Sequence, residues 1–340
     1  MRAAGGRTAA PDPSPIAPFR PRLAGVRLLA CALALMVGSS LSAAPPSPAT
    51  FSIVAVDPEA GEAGIAVASR FFSVGSVVPW ARAGAGAVAT QSFANTTFGP
   101  RGLDLLERGA TPEEIVAILL RDDPDRDRRQ FGVVAASGAS ATYTGKGCLA
   151  WAGGRSGPGY AVQGNILTGE PVVAALERGF LDSKGKPLGE RLYAALKAGD
   201  AAGGDSRGHQ SAAIVVVRAH GGYNGFTDRA IDIRVDDHAD PIGEIGRLLD
   251  LALVNDRWNR GWTAFTEKKF EEARRWQEQA ASAAERQPGM LPEVLYDLAV
   301  IRLAAGDKAG ARTALDRALT LNPKLKAAAD KDPDLAGLRE

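Results

Sequence analysis

Apolar and small residues alternate with a period of two along several short segments of the chain, as expected for β-strands. The first segment (FSIVAVD, residues 51–57) is followed by a turn (PEAGE) and by GIAVAS (64–69), which predicts an antiparallel hairpin. Further strands are predicted in the segments 83–92, 130–137, 140–145, 210–218 and 230–237, and the glycine-rich segment 151–165 is predicted to end in a strand.

Two pairs of segments with helical periodicity lie between these strands. The first pair is at residues 100–109 and 111–123, and the second is at 170–180 and 188–198. The segment 111–123 opens with a capping Thr111 and with Pro112 at the first helical position. The strands are poor in charged residues and come as antiparallel pairs. This order predicts two facing antiparallel sheets with helices outside, and not a doubly wound parallel sheet.

From residue 240 onward the pattern is helical throughout. Residues 240–256 read as a linker helix, and residues 257–340 contain two related helical hairpins. The second copy is close to the tetratricopeptide pattern through six residues: Gly306, Ala311, Leu315, Ala318, Leu321 and Pro323. A plain helical hairpin tail is the alternative. Two copies are fewer than a free solenoid needs, so we expect them to pack on the linker helix or on the main domain.

The first 49 residues have the order of a secretory signal. Three arginines (Arg20, Arg22 and Arg27) precede an apolar run (28–38), and small residues and prolines follow. The run is shorter than the ~20 residues of a membrane-spanning helix. We therefore expect an exported protein, periplasmic or secreted, with no membrane attachment once the signal is removed. A start site placed too early is the alternative.

The composition argues against several classes of function. The chain has 340 residues, 45% of them hydrophobic, and a formal net charge of +1, with no basic stripe that would suit nucleic acid. The three histidines are scattered and lack metal-ligand spacing, so we predict no metal and no cofactor. Without the signal, Cys148 is the remaining cysteine, which excludes an internal disulfide. The sequence leaves open whether the protein forms a homo-oligomer.

One serine motif has the wrong surroundings for a nucleophile. GDSRG (204–208) matches G-x-S-x-G around Ser206, and acids and His238 follow it. A nucleophile elbow needs a strand before the serine and a helix after it. Here a helix comes first and a strand follows, so Ser206 is not expected to be a nucleophile.

Thr50 begins the first predicted strand and could be the first residue of the mature protein. An N-terminal threonine carries its own base, since the α-amino group has a pKa of ~7.7–8.0. Ser47 and Ala49 provide small residues two apart, which suits signal cleavage just before Thr50. Cleavage after Ala43 or Ala44, nearer the apolar run, is the competing possibility, and Thr50 would then be an ordinary strand residue.

Four segments together resemble a known bacterial family. They are the long segment from TFSIVAVD to AVATQS (50–92), WAGGRSGPGYAVQGNIL (151–167), AAGGDSRGHQSAA (201–213) and DIRVDDH (232–238). Across residues 50–253 the chain is similar to the family catalogued as domain of unknown function 1028. The resemblance implies an α+β fold, a four-layer αββα sandwich of the N-terminal-nucleophile hydrolase type, over residues 50–239. The reaction of that family is unassigned.

The wider superfamily suggests which residues would support Thr50. Proteasome-like members place an aspartate before the Ser-Arg of the second strand and a lysine further on. Here Ala68 holds the first position, and no lysine lies between residues 50 and 127. Five residues in the glycine-rich segments are candidates to replace that support, and each also fits a structural hydrogen-bonding role: Arg70, Gln91, Asn165, Asp205 and Gln210.

The expected function is therefore an exported amide-bond hydrolase acting on a small molecule or peptide. The alternative is a non-catalytic protein that binds a protein or cell-wall partner through the sandwich and the helical tail.

Overall fold

The computed structural model describes residues 50–339. Within these residues there are ten strands: β1 (Thr50–Asp57), β2 (Glu62–Ser69), β3 (Pro79–Arg82), β4 (Gly86–Ser92), β5 (Arg129–Ala135), β6 (Ser140–Thr144), β7 (Gly153–Gly157), β8 (Tyr160–Asn165), β9 (Ser211–Val217) and β10 (Arg229–Val235).

The strands form two antiparallel sheets, as the sequence pattern predicts. The first sheet has the order β10-β9-β2-β1-β8-β7, and the second has the order β3-β4-β5-β6. Strand β1 lies in the middle of the larger sheet, between β2 and β8, and pairs with both in antiparallel register. The start of β1 is therefore held on both sides by backbone hydrogen bonds.

Nine helices occur in the described range: α1 (Phe98–Glu107), α2 (Pro112–Arg121), α3 (Glu170–Asp182), α4 (Leu188–Ala201), α5 (Pro241–Thr266), α6 (Phe270–Ala284), α7 (Leu291–Ala304), α8 (Lys308–Leu321) and α9 (Lys326–Ala329). The predicted cap of α2 is present as a reciprocal capping box between Thr111 and Glu114. Such a box satisfies two backbone N–H groups that the first helical turn leaves unpaired.

Neighbouring residues of each strand point to opposite faces of the larger sheet, and each face packs against another layer of the protein. On β1, Phe51 and Ile53 pack in a core with α3, α4 and α5. Val54 and Val56 lie in a second core, which fills the space between the two sheets. Helices α1 and α2 pack on the smaller sheet in a third core around Phe131. Each sheet is thus covered by helices on one face and by the other sheet on the opposite face.

The region after residue 240 is helical, as expected. Each helix from α5 to α8 packs against the next, around a core that includes Ala280, Leu298 and Ala311. Helix α5 has 26 residues and ends at Thr266, beyond residue 256, where the sequence predicted the end of the linker helix. It also packs on β9 and β10, so this helix belongs to both the sheet core and the tail.

A closed ring of four charges joins α5 to the larger sheet. Arg218 contacts Glu62 at 2.7 Å and Asp256 at 2.9 Å. Arg260 contacts the same two carboxylates at 2.8 and 2.9 Å. Because each carboxylate bridges the two guanidinium groups, α5 is held against the ends of β2 and β9 by charge as well as by apolar contact.

Candidate functional site

The space between the two sheets is apolar at one end and polar at the other. Around Val54 and Val56 the facing residues are alanine and valine. At the start of β1 the inward positions are polar instead. We refer to seven buried residues at this end as the polar cluster: Thr50, Ser52, Ser69, Gln91, Gln130, Gln163 and Asn165.

Strand register brings the members of the cluster together. Thr50 pairs with Ser69 on β2 and with Asn165 on β8, so these three side chains lie side by side. Ser52 pairs with Gln163 two residues further along β1. Gln91 and Gln130 pair with each other on the opposing sheet. The cluster therefore draws on five strands, β1, β2, β4, β5 and β8.

Ser52 is the centre of one half of the hydrogen-bond network. Its hydroxyl donates to Gln91 Oε1 at 2.5 Å and accepts from Gln163 Nε2 at 2.6 Å. Gln91 Nε2 in turn donates to the Thr50 carbonyl oxygen at 3.2 Å and to Gln130 Oε1 at 2.9 Å. Gln91 thus fixes the backbone of Thr50 from the opposite sheet.

Asn165 and Gln130 form the other half of the hydrogen-bond network. Asn165 Nδ2 donates to Gln130 Oε1 at 2.8 Å, and Gln130 Nε2 donates to the Gly164 carbonyl at 2.7 Å and to Thr144 Oγ1 at 2.9 Å. Asn165 Oδ1 is buried and accepts no hydrogen bond from any described residue. An unpaired buried acceptor is unfavourable by about 1–3 kcal/mol, so its position beside Thr50 calls for a functional explanation.

The hydroxyl of Thr50 lies 3.2 Å from the hydroxyl of Ser69 and is completely buried. Hydroxyl and amide groups make up the whole cluster, which contains no ionisable side chain. In the full-length sequence the nitrogen of Thr50 is bonded to Ala49, so it is an amide and not an amine. A base at this position would arise only by cleavage before Thr50.

Unusual backbone conformations follow two members of the cluster. Ser92, directly after Gln91, has a φ of 65°, and Ile166, directly after Asn165, has a φ of 52°. Left-handed conformations are uncommon for residues other than glycine, and for a β-branched residue such as isoleucine they are strained. Both strands therefore end abruptly next to the cluster.

The structure brings three of the six predicted site residues, Thr50, Gln91 and Asn165, into one cluster. Arg70 follows Ser69, and its backbone N–H donates to Asp205 Oδ2 at 2.7 Å, while its side chain is exposed. Gln210 lies apart and donates to Asp237 at 3.2 Å.

Asp205 anchors the loop that follows α4. Asp205 is buried and also pairs with Arg207 at 3.0 Å, so its carboxylate fastens the end of β2 to the loop after α4. Ser206 donates to the Ile166 carbonyl at 2.8 Å. The G-x-S-x-G segment thus holds the turn that follows Asn165.

Sequence reasoning missed four members of the cluster: Ser52, Ser69, Gln130 and Gln163. A signal was available, because each is a polar residue at an inward position of a largely apolar strand. The contact between Ser52 and Gln163 spans 111 residues, and no local pattern predicts such a partner.

Between residues 50 and 339 no group of three or more histidine, cysteine, aspartate or glutamate side chains is placed to hold a metal ion. None of the helices in this range combines the length and apolar composition of a membrane span.

Comparison with known proteins agrees with the resemblance of the sequence. The model of the family of unknown function DUF1028 matches residues 50–245. A crystal structure of a DUF1028 protein from Silicibacter pomeroyi is similar, with 30% sequence identity and a TM-score of 0.54 over 60% of this chain and 89% of that one. No curated protein matches the chain. Because the family model covers more than half of its length, the chain belongs to the DUF1028 family, whose function is unknown.

Proposed function

We propose that the mature protein is an exported amide-bond hydrolase in which Thr50 is both the N-terminal residue and the nucleophile. The observation that carries the proposal is the unpaired Oδ1 of Asn165, buried directly across the β1–β8 ladder from Thr50. A free α-amine on Thr50 would supply the N–H donor that this oxygen lacks. Asn165 would then orient the amine toward the Thr50 hydroxyl.

The chemistry follows from the two groups on one residue. The neutral α-amine takes the proton of the Thr50 hydroxyl as Oγ1 attacks the carbonyl carbon of an amide. The tetrahedral intermediate then expels the amine product, which receives that proton, and an ester to Thr50 Oγ1 remains. Water hydrolyses the ester in a second step, with the α-amine again acting as the base. Each turnover consumes one water and regenerates the free threonine.

Two amide side chains have separable roles in this scheme. Gln91 uses its Nε2 to hold the Thr50 carbonyl and Gln130, so it is a positioning residue. Asn165 Nδ2 donates one N–H to Gln130 and has a second one that would stabilise the oxyanion. Removal of one oxyanion donor typically slows the chemical step by about 10²–10³.

The fold is compatible with this type of enzyme. A central strand that begins with the nucleophile, two facing sheets and helices on both outer faces fit a four-layer αββα sandwich of the N-terminal-nucleophile hydrolase type. The absence of an ionisable side chain from the polar cluster fits a mechanism in which the α-amine is the base.

Two versions of the protein that differ by one residue test the proposal. One begins at Thr50 and the other at Ala49, and both are screened against a library of amide substrates. We expect hydrolysis only by the version with a free Thr50 amine, and loss of that hydrolysis in its Thr50→Ala variant. Equal activity of the two versions would exclude the α-amine as the base.

A second candidate function rests on the complete burial of Thr50 and on the tail. In this alternative the polar cluster only fixes the two sheets, and the protein is a non-catalytic periplasmic binding or adaptor protein. The helical region would then carry the function as a tetratricopeptide-like surface for a protein or peptide. Absence of hydrolysis by a well-folded version that begins at Thr50 would favour this alternative.

A further inference from the structure

A cavity of about 280 Å³ lies where α5, α7 and the turn at residues 223–225 meet. Two tryptophans, a tyrosine, three asparagines and an aspartate line it: Tyr223, Asn224, Asn255, Trp258, Asn259, Trp262 and Asp297. A carboxylate thus shares a small cavity with three aromatic side chains.

Helix α5 supplies four of the lining residues from one face. Asn255, Trp258, Asn259 and Trp262 recur at intervals of three, one and three, so they form a single stripe along the helix. The Tyr223 ring closes the cavity from the turn after β9 and is itself 73% exposed to solvent. The cavity thus has a fixed wall on α5 and an accessible aromatic side chain at its opening.

Asp297 on α7 is held by the two tryptophans. Both indole N–H groups donate to the same oxygen, Oδ2, at 2.7 Å from Trp258 and 2.6 Å from Trp262. These two bonds fix the carboxylate without neutralising it. Asp297 therefore retains its second oxygen as an acceptor for a ligand.

No lysine or arginine among residues 50–339 forms an ion pair with Asp297. The two arginines nearest on α5 are used elsewhere: Arg257 donates to the Leu253 carbonyl, and Arg260 pairs with Glu62 and Asp256. The charged neighbours that act on Asp297 are the acids Asp332 and Glu293. Burial, together with these acids, raises the pKa of Asp297, and the two indole hydrogen bonds oppose the rise. Asp297 thus has two further acids near it and no ion-paired cation among the described residues.

We propose that this cavity binds an alkylammonium group, the positively charged end of an amine. A cation would contact the carboxylate of Asp297 and lie against the rings of Trp258, Trp262 and Tyr223, the combination that recognises ammonium ligands in aromatic cages. An anion would be repelled by the acids. The volume is below that of a site for a drug-sized ligand, which suits a single side chain or a small amine. The shared chemistry could come from a lysine of a peptide or from a free amine.

The indole N–H signals of the five tryptophans provide the assay on the intact mature protein. It is titrated with tetramethylammonium and with n-butylammonium, and with sodium chloride at equal ionic strength as the salt control. We expect shifts confined to Trp258 and Trp262. Asp297→Asn keeps an acceptor for the indoles but removes the charge, and should weaken binding at least tenfold. Tyr223→Ala, on an exposed turn, should weaken it several-fold without affecting the fold.

Matched controls come from the same region. Asp316 is an exposed acid on α8, and Phe226 is an exposed aromatic three residues after Tyr223 that does not line the cavity. Asp316→Asn and Phe226→Ala should bind both probes normally. The proposal is overturned if the two indole signals do not respond to either probe, or if the controls weaken binding as much as the cavity variants. If Asp297→Asn does not fold, the comparison of probe binding by Tyr223→Ala with that by Phe226→Ala decides the question.

One more pair of probes distinguishes a peptide lysine from a free amine as the natural ligand. A short peptide with a single lysine, blocked at both termini, is compared with the same peptide acetylated on that lysine. If the natural ligand is a peptide, the unmodified peptide should bind more tightly than butylammonium, and acetylation should abolish the difference. If it is a free amine, butylammonium should bind at least as well as the peptide.

Discussion

Asn165 lies directly opposite Thr50 in the β1–β8 ladder, with its Nδ2 bonded to Gln130 at 2.8 Å and its Oδ1 buried without a partner among residues 50–339. The other side chains of the polar cluster form a connected network of amides and hydroxyls, so this one unpaired oxygen is conspicuous. In the proposed mechanism, the α-amine of a processed Thr50 would donate to this oxygen.

Replacement of Asn165 should affect both stability and chemistry. Asn165→Ala removes the hydrogen bond to Gln130 and should lower the free energy of unfolding by about 1–3 kcal/mol. In the version that begins at Thr50 it should also lower kcat by about 10²-fold or more. Thr144→Val is the control, since Thr144 accepts from Gln130 but lies on β6 in the second sheet. If both variants lose activity in proportion to stability, Asn165 has only a structural role.

The close approach of Gly132 and Gln163 makes the cluster sensitive to added volume. A Cβ at Gly132 would lie 2.2 Å from Gln163 Oε1. Gln163 cannot withdraw easily, because its Nε2 donates to Ser52 at 2.6 Å. Gly132→Ala should therefore reduce the free energy of unfolding by about 1–3 kcal/mol.

Urea unfolding measures this effect, and Gly289→Ala is the matched control. Gly289 has no atom within 4 Å of the added Cβ. Its substitution should change stability by less than about 0.5 kcal/mol. Equal effects of the two substitutions would mean that the packing between the sheets is looser than the structure indicates.

The four-charge ring should be essential for holding α5 on the sheet. Arg218→Met leaves Glu62 and Asp256, both largely buried, with one cation in place of two. Breaking a buried ion pair from one side costs about 3–5 kcal/mol. Arg317→Met removes a solvent-exposed pair with Glu285 and should cost less than about 1 kcal/mol. Thermal unfolding compares the two, and a small effect of Arg218→Met would show that apolar contact alone fixes α5.

Acid should weaken the anchor of β5 through Asp123. The guanidinium of Arg129 lies 2.7 Å from this carboxylate and holds the pKa of Asp123 below its usual range. A lowered folded-state pKa stabilises the protein fully above the unfolded-state pKa of about 3.9, and the contribution disappears as the pH falls through the folded-state value. Asp123→Asn should therefore destabilise at neutral pH, and its difference from the unmodified protein should shrink in acid. A difference in unfolding midpoint that stays constant with pH would contradict this.

Most helices and strands were predicted because the alternation of a strand and the capping residues of a helix lie within the element itself. The alternation in residues 51–57 and the capping residues Thr111 and Pro112 mark elements that the structure contains. Strands β3 and β7 were missed. Proline and tryptophan open the first, and the second is rich in glycine, so neither carries the β-branched alternation that identifies a strand.

The site was predictable only in part for the same reason. Thr50 was found through its place before a predicted strand, and Asn165 and Gln91 through their glycine-rich segments. The partnership of Ser52 with Gln163 and the unpaired oxygen of Asn165 depend on which strands become neighbours. Strand order is a global property, and the two-residue period of the sequence does not contain it.

The most direct test of the account is the identity of the first residue of the mature protein. N-terminal sequencing and intact-mass measurement of protein recovered from outside the cytoplasm decide it. The account predicts a chain that begins at Thr50 with an unblocked amine. A mature chain that begins at Ala43 or Ala44 and is never trimmed further, or an intact N-terminus in the cytoplasm, would leave the Thr50 nitrogen in a peptide bond and contradict the proposed mechanism.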